Sequence, residues 1–217
     1  MSSISSAHKI MESIAARLYG VSLQQTRRIE TALGCYCTAL EHHHAIIVLL
    51  EQPRSMAISG FALARPMFEA YLRGEWLALC AKDDQIERFL SGGEPPCPDK
   101  LIQEIGDYPD HRTVGLELAR LKSKEIWKVL CDFTHTGARQ VRHCISEDTA
   151  CPNIPSDRVA ALLTLLNPIA FATAIGVAAL AKDMELLDCI CSDAAKFLGV
   201  EGERIQGESV PTVTRSA

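Results

Sequence analysis

Three charged residues recur at every fourth position in the apolar segment FALARPMFEAYLRGEW, which spans residues 61–76: Arg65, Glu69 and Arg73. On an α-helix, which turns about 100° per residue, this spacing places them in one stripe. The flanks and the back of the same helix are apolar or aromatic, so the stripe must face either the protein interior or a cleft. The chemistry available there is ion pairing within the helix and the binding of an anion.

The stripe carries one surplus positive charge, because two guanidinium groups share a single carboxylate. A buried charge without a partner is strongly destabilising, so we expect a neighbouring helix to supply an acceptor or a ligand to supply an anion. Two arginines suit a phosphate or carboxylate group, and on this basis we predict that Arg65, Glu69 and Arg73 bind substrate. The alternative is a structural ladder that only sets how the helices pack.

A second concentration of polar residues lies in DFTHTGARQVRHC, residues 132–144. His135, Arg139 and either Arg142 or His143 share one face if the helix is not interrupted. A histidine beside an arginine is typical of metal-independent RNA cleavage, in which one group transfers the 2′-hydroxyl proton and a cation stabilises the phosphorane. We therefore predict Arg139 and His143 as catalytic residues, and His135 as a substrate-binding residue opposite the stripe. Each histidine could instead be structural.

A metal site is the weaker alternative for these polar residues. Glu41 and His44 have the acid-x-x-histidine spacing of di-metal carboxylate bundles, and Asp132 and His135 repeat it. Glu69 would add a third carboxylate, but the arginines on both sides of it would repel a cation. We therefore predict no metal ligands and no cofactor, and keep a metal-carboxylate enzyme only as a further alternative.

The overall charge excludes a protein that binds nucleic acid with its whole surface, since the chain of 217 residues has a net charge of −5 and a pI near 5.8. The average hides an asymmetry. Residues 111–143 contain seven Lys or Arg and three acidic residues, a net charge of +4 that leaves −9 for the remainder. A local basic face could meet a phosphate backbone, although a solvated helix surface has the same composition.

The compartment follows from the cysteines and the N-terminal residues. Nine cysteines fit reduced thiols better than a complete set of disulfides, and the first residues lack the apolar run of a secretory signal, so we predict a cytoplasmic protein. Residues 159–181 form 23 positions without a charge, long enough for a membrane span. Their central Asn-Pro pair, their alanine content and the lack of flanking Trp or Tyr favour a central helix of a bundle, with no membrane partner.

The helical period dominates the chain, and signals for strands are scarce. We predict an all-α, single-domain bundle of about six to eight helices with long central helices. Residues 1–198 would form the domain, and residues 199–217, which have few apolar residues and no period, would form a flexible C-terminal tail.

Individual helix boundaries follow from capping and breaking residues. Ser22 is predicted to cap the second helix, which would run to about Glu51. A helix from about 125 to 145 should be bent or interrupted at a glycine, residue 137. The last long helical region, from about 157 to 198, should be kinked at Pro168.

Three quoted segments carry a resemblance to a known family: EHHHAI, SGFALARPMFEAYLRGEWL and WKVLCDFTHTGARQVRH, together covering about residues 41–143. They resemble a family of bacterial helical proteins described only as a domain of unknown function. The Arg-x-x-x-Glu helix and the later His-bearing helix are also similar to the HEPN group (higher eukaryotes and prokaryotes nucleotide-binding). Members of that group are helical, often dimeric ribonucleases of toxin or phage-defence systems. Their motif separates Arg from His by four to six residues, whereas three separate Arg139 from His143 here.

The resemblance implies a HEPN-like, homodimeric protein that binds RNA or a nucleotide and cleaves RNA without a metal, in a toxin or phage-defence setting. Arg139 and His143 would act at the reacting phosphate, and Arg65 and Arg73 would hold phosphate groups. The alternative is a non-enzymatic binding or regulatory homodimer whose Arg-Glu-Arg ladder is structural.

Overall fold

The computed structural model describes residues 3–52, 56–145 and 154–199, and within these ranges the chain forms ten α-helices and no strand. In chain order they are α1 (Ser3–Leu18), α2 (Arg27–Glu51), α3 (Ala57–Leu79), α4 (Asp83–Leu90), α5 (Pro98–Asp107), α6 (Arg112–Leu121), α7 (Lys124–Thr134), α8 (Ala138–Cys144), α9 (Ser156–Ala181) and α10 (Met184–Leu198). The all-α prediction is confirmed, whereas six to eight helices is too few.

The two extra helices arise where residues other than glycine adopt a left-handed backbone. Thr136 (φ 53°) separates α7 from α8, and Lys182 (φ 57°) separates α9 from α10. This conformation ends a helix, and glycine is its usual residue, so Lys182 gives no signal for it in the sequence. The interruption predicted at Gly137 is confirmed, because α7 ends at Thr134 and α8 begins at Ala138. Pro168 lies inside α9 and does not end that helix.

The N-terminus of α2 also differs from the prediction. Thr26, and not Ser22, is the N-cap, since the Thr26 hydroxyl accepts a hydrogen bond from the backbone N–H of Ile29 at 3.3 Å. A side-chain acceptor at this position satisfies one of the unpaired N–H groups of the first turn. The helix ends at Glu51, as predicted.

The α2 and α3 helices form the antiparallel centre of the bundle. Gly60, near the start of α3, lies 3.7 Å from Leu50 near the end of α2, measured from an ideal Cβ, and Gly74 lies against Tyr36 nearer the start of α2. Arg28 donates hydrogen bonds to two backbone carbonyl groups at and just after the end of α3, at 2.9 and 2.6 Å. Such a guanidinium compensates carbonyl groups that the helix end leaves unpaired.

The apolar helix α9 packs against α1, α2, α3 and α10. Its length and hydropathy would allow it to cross a membrane, yet 61% of its most apolar window is buried inside the bundle, as expected of a core helix. Its one strongly polar buried residue, Asn167, accepts a hydrogen bond from Nε2 of His43 on α2 at 3.0 Å. Burial lowers the pKa of His43, so this contact joins two neutral groups.

The remaining helices extend from α3. Both α5 and α7 pack on it, and α6 lies against α5, where Gly115 approaches Gly106 so closely that a Cβ at 115 would stand 2.5 Å from the Gly106 Cα. The short α8 packs on α7. Apart from Gly199, the predicted tail of residues 199–217 lies outside the described residues, and the single domain of residues 1–198 stays a prediction.

Candidate functional site

The charged stripe of α3 forms a continuous ladder. Glu69 uses both carboxylate oxygens: Oε1 accepts from Arg65 Nε at 2.7 Å, and Oε2 accepts from Arg73 Nη2 at 2.9 Å. The side chains of Arg65, Glu69 and Arg73 are 22%, 16% and 33% exposed, so water reaches the arginine at 73 more than the others. Charged hydrogen bonds in this half-buried setting are stronger than those of an open surface pair.

The α7 helix supplies the partner that the surplus charge requires. Arg65 Nη1 lies 2.6 Å from His135 Nε2, and the same nitrogen donates to Cys131 Sγ at 3.5 Å. Because a guanidinium can only donate, His135 accepts with a lone pair on Nε2 and carries its proton on Nδ1. The arrangement agrees with the prediction that the stripe faces the helix of His135, and it shows that the answering group is a neutral acceptor.

The planar face of the same arginine is also covered. The guanidinium carbon of Arg65 lies 4.9 Å from the ring centroid of Trp127, and Lys122 Nζ lies 4.9 Å from that centroid as well. Cations over an indole ring are attracted by its quadrupole. Thr134 adds a hydrogen bond to the carbonyl of Ala62 at 3.3 Å. The ladder therefore fastens α7 to α3 along much of α7.

A tight turn then folds α8 back on α7. His135 caps α7, Thr136 adopts the left-handed conformation, and the N–H of Gly137 bonds to the carbonyl of Asp132 at 2.6 Å, which is the pattern of a Schellman motif. A Cβ at position 137 would stand 2.6 Å from Asp132 Oδ1 and 2.8 Å from its Cα, so only glycine fits. This turn sets the direction in which α8 presents its side chains.

Between α7, α8 and the start of α9 lies a cavity of about 430 Å³ that we call the basic cavity. Its lining residues are Lys128, Asp132, Ala138, Arg142, His143 and Arg158. Among the described lining residues, three permanent cations face one carboxylate, so this part of the cavity attracts anions although the whole chain is acidic. The His143 ring stacks on Phe133, with centroids 5.9 Å apart and planes 20° from parallel, which orients the imidazole in the cavity wall.

Five of the six predicted site residues fall into two neighbouring groups that meet at the C-terminal end of α7. Four lie in the ladder: Arg65, Glu69, Arg73 and His135. His143 lies in the basic cavity. Arg139 belongs to α8, and its side chain lies outside what the structure describes.

Sequence reasoning missed two contributors to this region. Arg158 reaches the cavity from the first turn of α9, and Trp127 covers the ladder from α7. No local pattern points to Arg158, because it comes from a helix far along the chain. Trp127 has a usable signal, since it stands within the basic segment and one helical turn from Cys131.

The metal alternative has no geometric support in the part of the chain that the structure describes. There, no group of three or more His, Cys, Asp or Glu side chains is placed so that it could hold a metal ion. Two members of the hypothetical site have other partners: His135 accepts from Arg65, and Glu69, the third carboxylate, pairs with two guanidinium groups.

A second polar group lies in the core, away from the cavity. Glu75 of α3 is buried, and its Oε1 accepts a hydrogen bond from the Tyr36 hydroxyl of α2 at 2.9 Å. Burial raises the pKa of Glu75, against the opposing effect of the Tyr36 contact. Gly74 and Gly176 make room for the tyrosine ring. The stripe prediction overlooked Glu75 because one acid among apolar residues has no periodic pattern.

The comparisons with known proteins place the chain in a family without assigning an activity. Residues 36–199 match the model of a family of unknown function (DUF6988), and the chain belongs to this family. No curated protein and no solved structure matches the chain.

Proposed function

We propose that the protein binds the phosphate groups of RNA or of a nucleotide in the basic cavity. The observation that carries the proposal is the placement of Lys128, Arg142 and Arg158 around one concavity of about 430 Å³, with Asp132 as its carboxylate. Arginine offers paired donors that match phosphate oxygens, and lysine adds a mobile point charge. The resemblance to the HEPN group, which includes nucleotide-binding proteins, supports the same class of ligand.

The ladder has a supporting role in this proposal. Arg65 already donates hydrogen bonds to Glu69, His135 and Cys131, so a phosphate at this arginine would have to displace existing contacts. The cavity cations Lys128, Arg142 and Arg158 are exposed. We therefore assign phosphate binding to the cavity and the positioning of α7 to the ladder.

The binding test is fluorescence anisotropy with a short labelled single-stranded RNA over a range of salt concentrations. Three phosphate contacts predict a slope of about −2 for log affinity against log salt, and the double variant Lys128→Ala, Arg142→Ala should lose about 1.4 of it. The matched control is Arg120→Ala, Lys196→Ala, which removes two cations outside the cavity. Equal slopes for the cavity variant and the control variant would refute the proposed site.

Cleavage of the bound RNA is a second candidate, favoured by the presence of an imidazole in the cavity wall. His143 is placed beside the cations that would stabilise a phosphorane, and Arg139 lies on the same helix. Cleavage requires that His143→Ala and Arg139→Ala each abolish product formation while RNA still binds. If wild type leaves RNA intact at saturating protein, cleavage is refuted and the function is non-enzymatic binding. Homodimer formation, the cytoplasmic location and the toxin or defence setting stay predictions.

A further inference from the structure

A second cavity, which we call the apolar groove, runs beside the basic cavity between α7 and α9. It encloses about 210 Å³, and its lining includes Phe61, Leu130, Phe133, Ala161 and Leu165. Of the lining residues that the structure describes, Arg158 alone is charged. Ala161 is exposed and Leu165 is half-buried, so the groove opens to solvent along α9.

The groove and the basic cavity share their boundary. Arg158 lines both of them. In addition, the Phe133 ring forms part of the groove while the His143 ring stacked on it forms part of the basic cavity. A ligand with an anionic end and an apolar end could therefore occupy both, with Arg158 at the junction.

We infer that the basic cavity and the apolar groove together bind an alkyl phosphate, with the phosphate among the cations and an unbranched chain in the groove. The inference rests on the proposed phosphate binding and goes beyond RNA or a nucleotide. Charge complementarity assigns the orientation, because Lys128 and Arg142 line the basic cavity and not the groove, and Arg158 stands at the junction of the two.

A nucleobase fits this groove poorly. Bases are read through hydrogen bonds to their edges and stacking on their faces. Apart from Arg158, the groove offers aliphatic and phenyl groups. The Phe133 ring already packs against Phe61, with centroids 4.6 Å apart, and against His143, and Phe133 is 2% exposed, so a base has little of this ring to stack on. An alkyl chain needs neither edge contacts nor a free aromatic face.

The size of the groove sets the chain length. A volume of 210 Å³ corresponds to about seven water-sized groups, and a methylene is of similar size. Each methylene taken from water should strengthen binding by about fourfold. Affinity should therefore rise steadily with chain length and level off once about seven methylenes are buried.

The experiment is calorimetric titration of the full chain with inorganic phosphate and with ethyl, butyl, hexyl, octyl and decyl phosphate, each below its aggregation concentration. Uridine monophosphate and hexanol serve as comparison ligands. We expect inorganic phosphate to bind weakly, the alkyl series to gain about fourfold per methylene up to the octyl member, and uridine monophosphate to bind no tighter than butyl phosphate. Hexanol, which lacks the anion, should bind more weakly than hexyl phosphate.

Two variants test whether the alkyl chain of the ligand lies in the apolar groove. Ala161→Trp fills the open side of the groove from an exposed position and should abolish the dependence on chain length. Ala119→Trp makes the same change at an exposed alanine of α6, outside both cavities, and should behave as wild type. Circular dichroism melting of both variants shows whether each is folded.

The outcomes separate the inference from the proposed function. Phosphate binding that is independent of chain length, or stronger binding of uridine monophosphate than of octyl phosphate, overturns the inference and leaves the proposed function in place. A chain-length dependence that survives in folded Ala161→Trp also overturns it. If neither phosphate nor any phosphate ester binds, the proposed function fails and the inference fails with it.

Discussion

Tyr36 occupies a slot between two helices that exists only because Gly74 and Gly176 have no side chain. A Cβ on Gly74 would stand 2.6 Å from both Cδ1 and Cε1 of the tyrosine ring, and one on Gly176 would stand 2.6 Å from Cζ and 2.7 Å from the hydroxyl. The ring is 1% exposed and its hydroxyl is bonded to Glu75, so it has no open direction in which to move. Gly74→Ala should therefore destabilise the fold.

The magnitude follows from two opposing effects. Replacing a helical glycine by alanine stabilises a helix by about 1 kcal/mol, whereas overpacking a closed core costs about 1–3 kcal/mol or more. At Gly74 the contact is with a rigid ring, so we expect a net loss of about 2 kcal/mol and a melting temperature lower by about 4–8 °C. Gly34 is the matched control, because it lies inside α2 and a Cβ there meets nothing within 4 Å.

The assay is thermal and urea unfolding followed by circular dichroism. Gly34→Ala should raise the melting temperature by about 2–4 °C, and Gly74→Ala should lower it. In a Tyr36→Leu background, which removes the ring, the cost of Gly74→Ala should shrink, since contacting residues are not additive. If Gly74→Ala is as stable as Gly34→Ala, the slot described for Tyr36 does not exist in solution.

Two further predictions concern stability. Burial raises the pKa of Glu75 in the folded state above its ordinary value of 4.5. The protonated side chain therefore contributes fully to the stability of the fold below pH 4.5, and this contribution is lost as the pH rises through the raised pKa. The Glu75→Gln variant can still accept the hydrogen bond from Tyr36, so its free energy of unfolding should rise relative to that of wild type as the pH increases through this range. Urea unfolding at successive pH values measures both, and a difference that does not change with pH would contradict the prediction. The left-handed backbone of Thr136 is strained, so Thr136→Gly should stabilise the fold by about 1 kcal/mol. Ala119→Gly, inside α6, should destabilise it by about the same amount. Equal losses for both would show that Thr136 is unstrained.

Local periodicity was sufficient to predict the helical class and the ladder. Contacts between residues four apart on one helix depend only on the helical repeat, which the sequence displays directly, so Arg65, Glu69 and Arg73 could be placed together. The interruption between α7 and α8 could be predicted for a similar reason, because a glycine such as Gly137 acts on the backbone locally.

Features that depend on distant parts of the chain could not be predicted in this way. The slot around Tyr36 requires Gly176, 140 positions later, and Arg158 joins the basic cavity from a different helix than Lys128. The break at position 182 falls on a lysine in the left-handed conformation, and lysine is not a residue type that marks a helix end in this way. A single sequence contains no local trace of these constraints.

The two groups of cations differ in what an incoming anion would gain. At the ladder, a phosphate would face the Glu69 carboxylate and would have to replace the hydrogen bonds of 2.7 and 2.9 Å that pair this carboxylate with both guanidinium groups. At the basic cavity, the three cations are exposed around a concavity, so an anion exchanges contacts with water instead of contacts with a buried carboxylate. The displacement of paired charges opposes binding at the ladder, whereas the described lining of the cavity sets three exposed cations against the single carboxylate of Asp132, so the anion is expected at the cavity. The ladder then acts on binding only through α7, whose position decides where Lys128 stands.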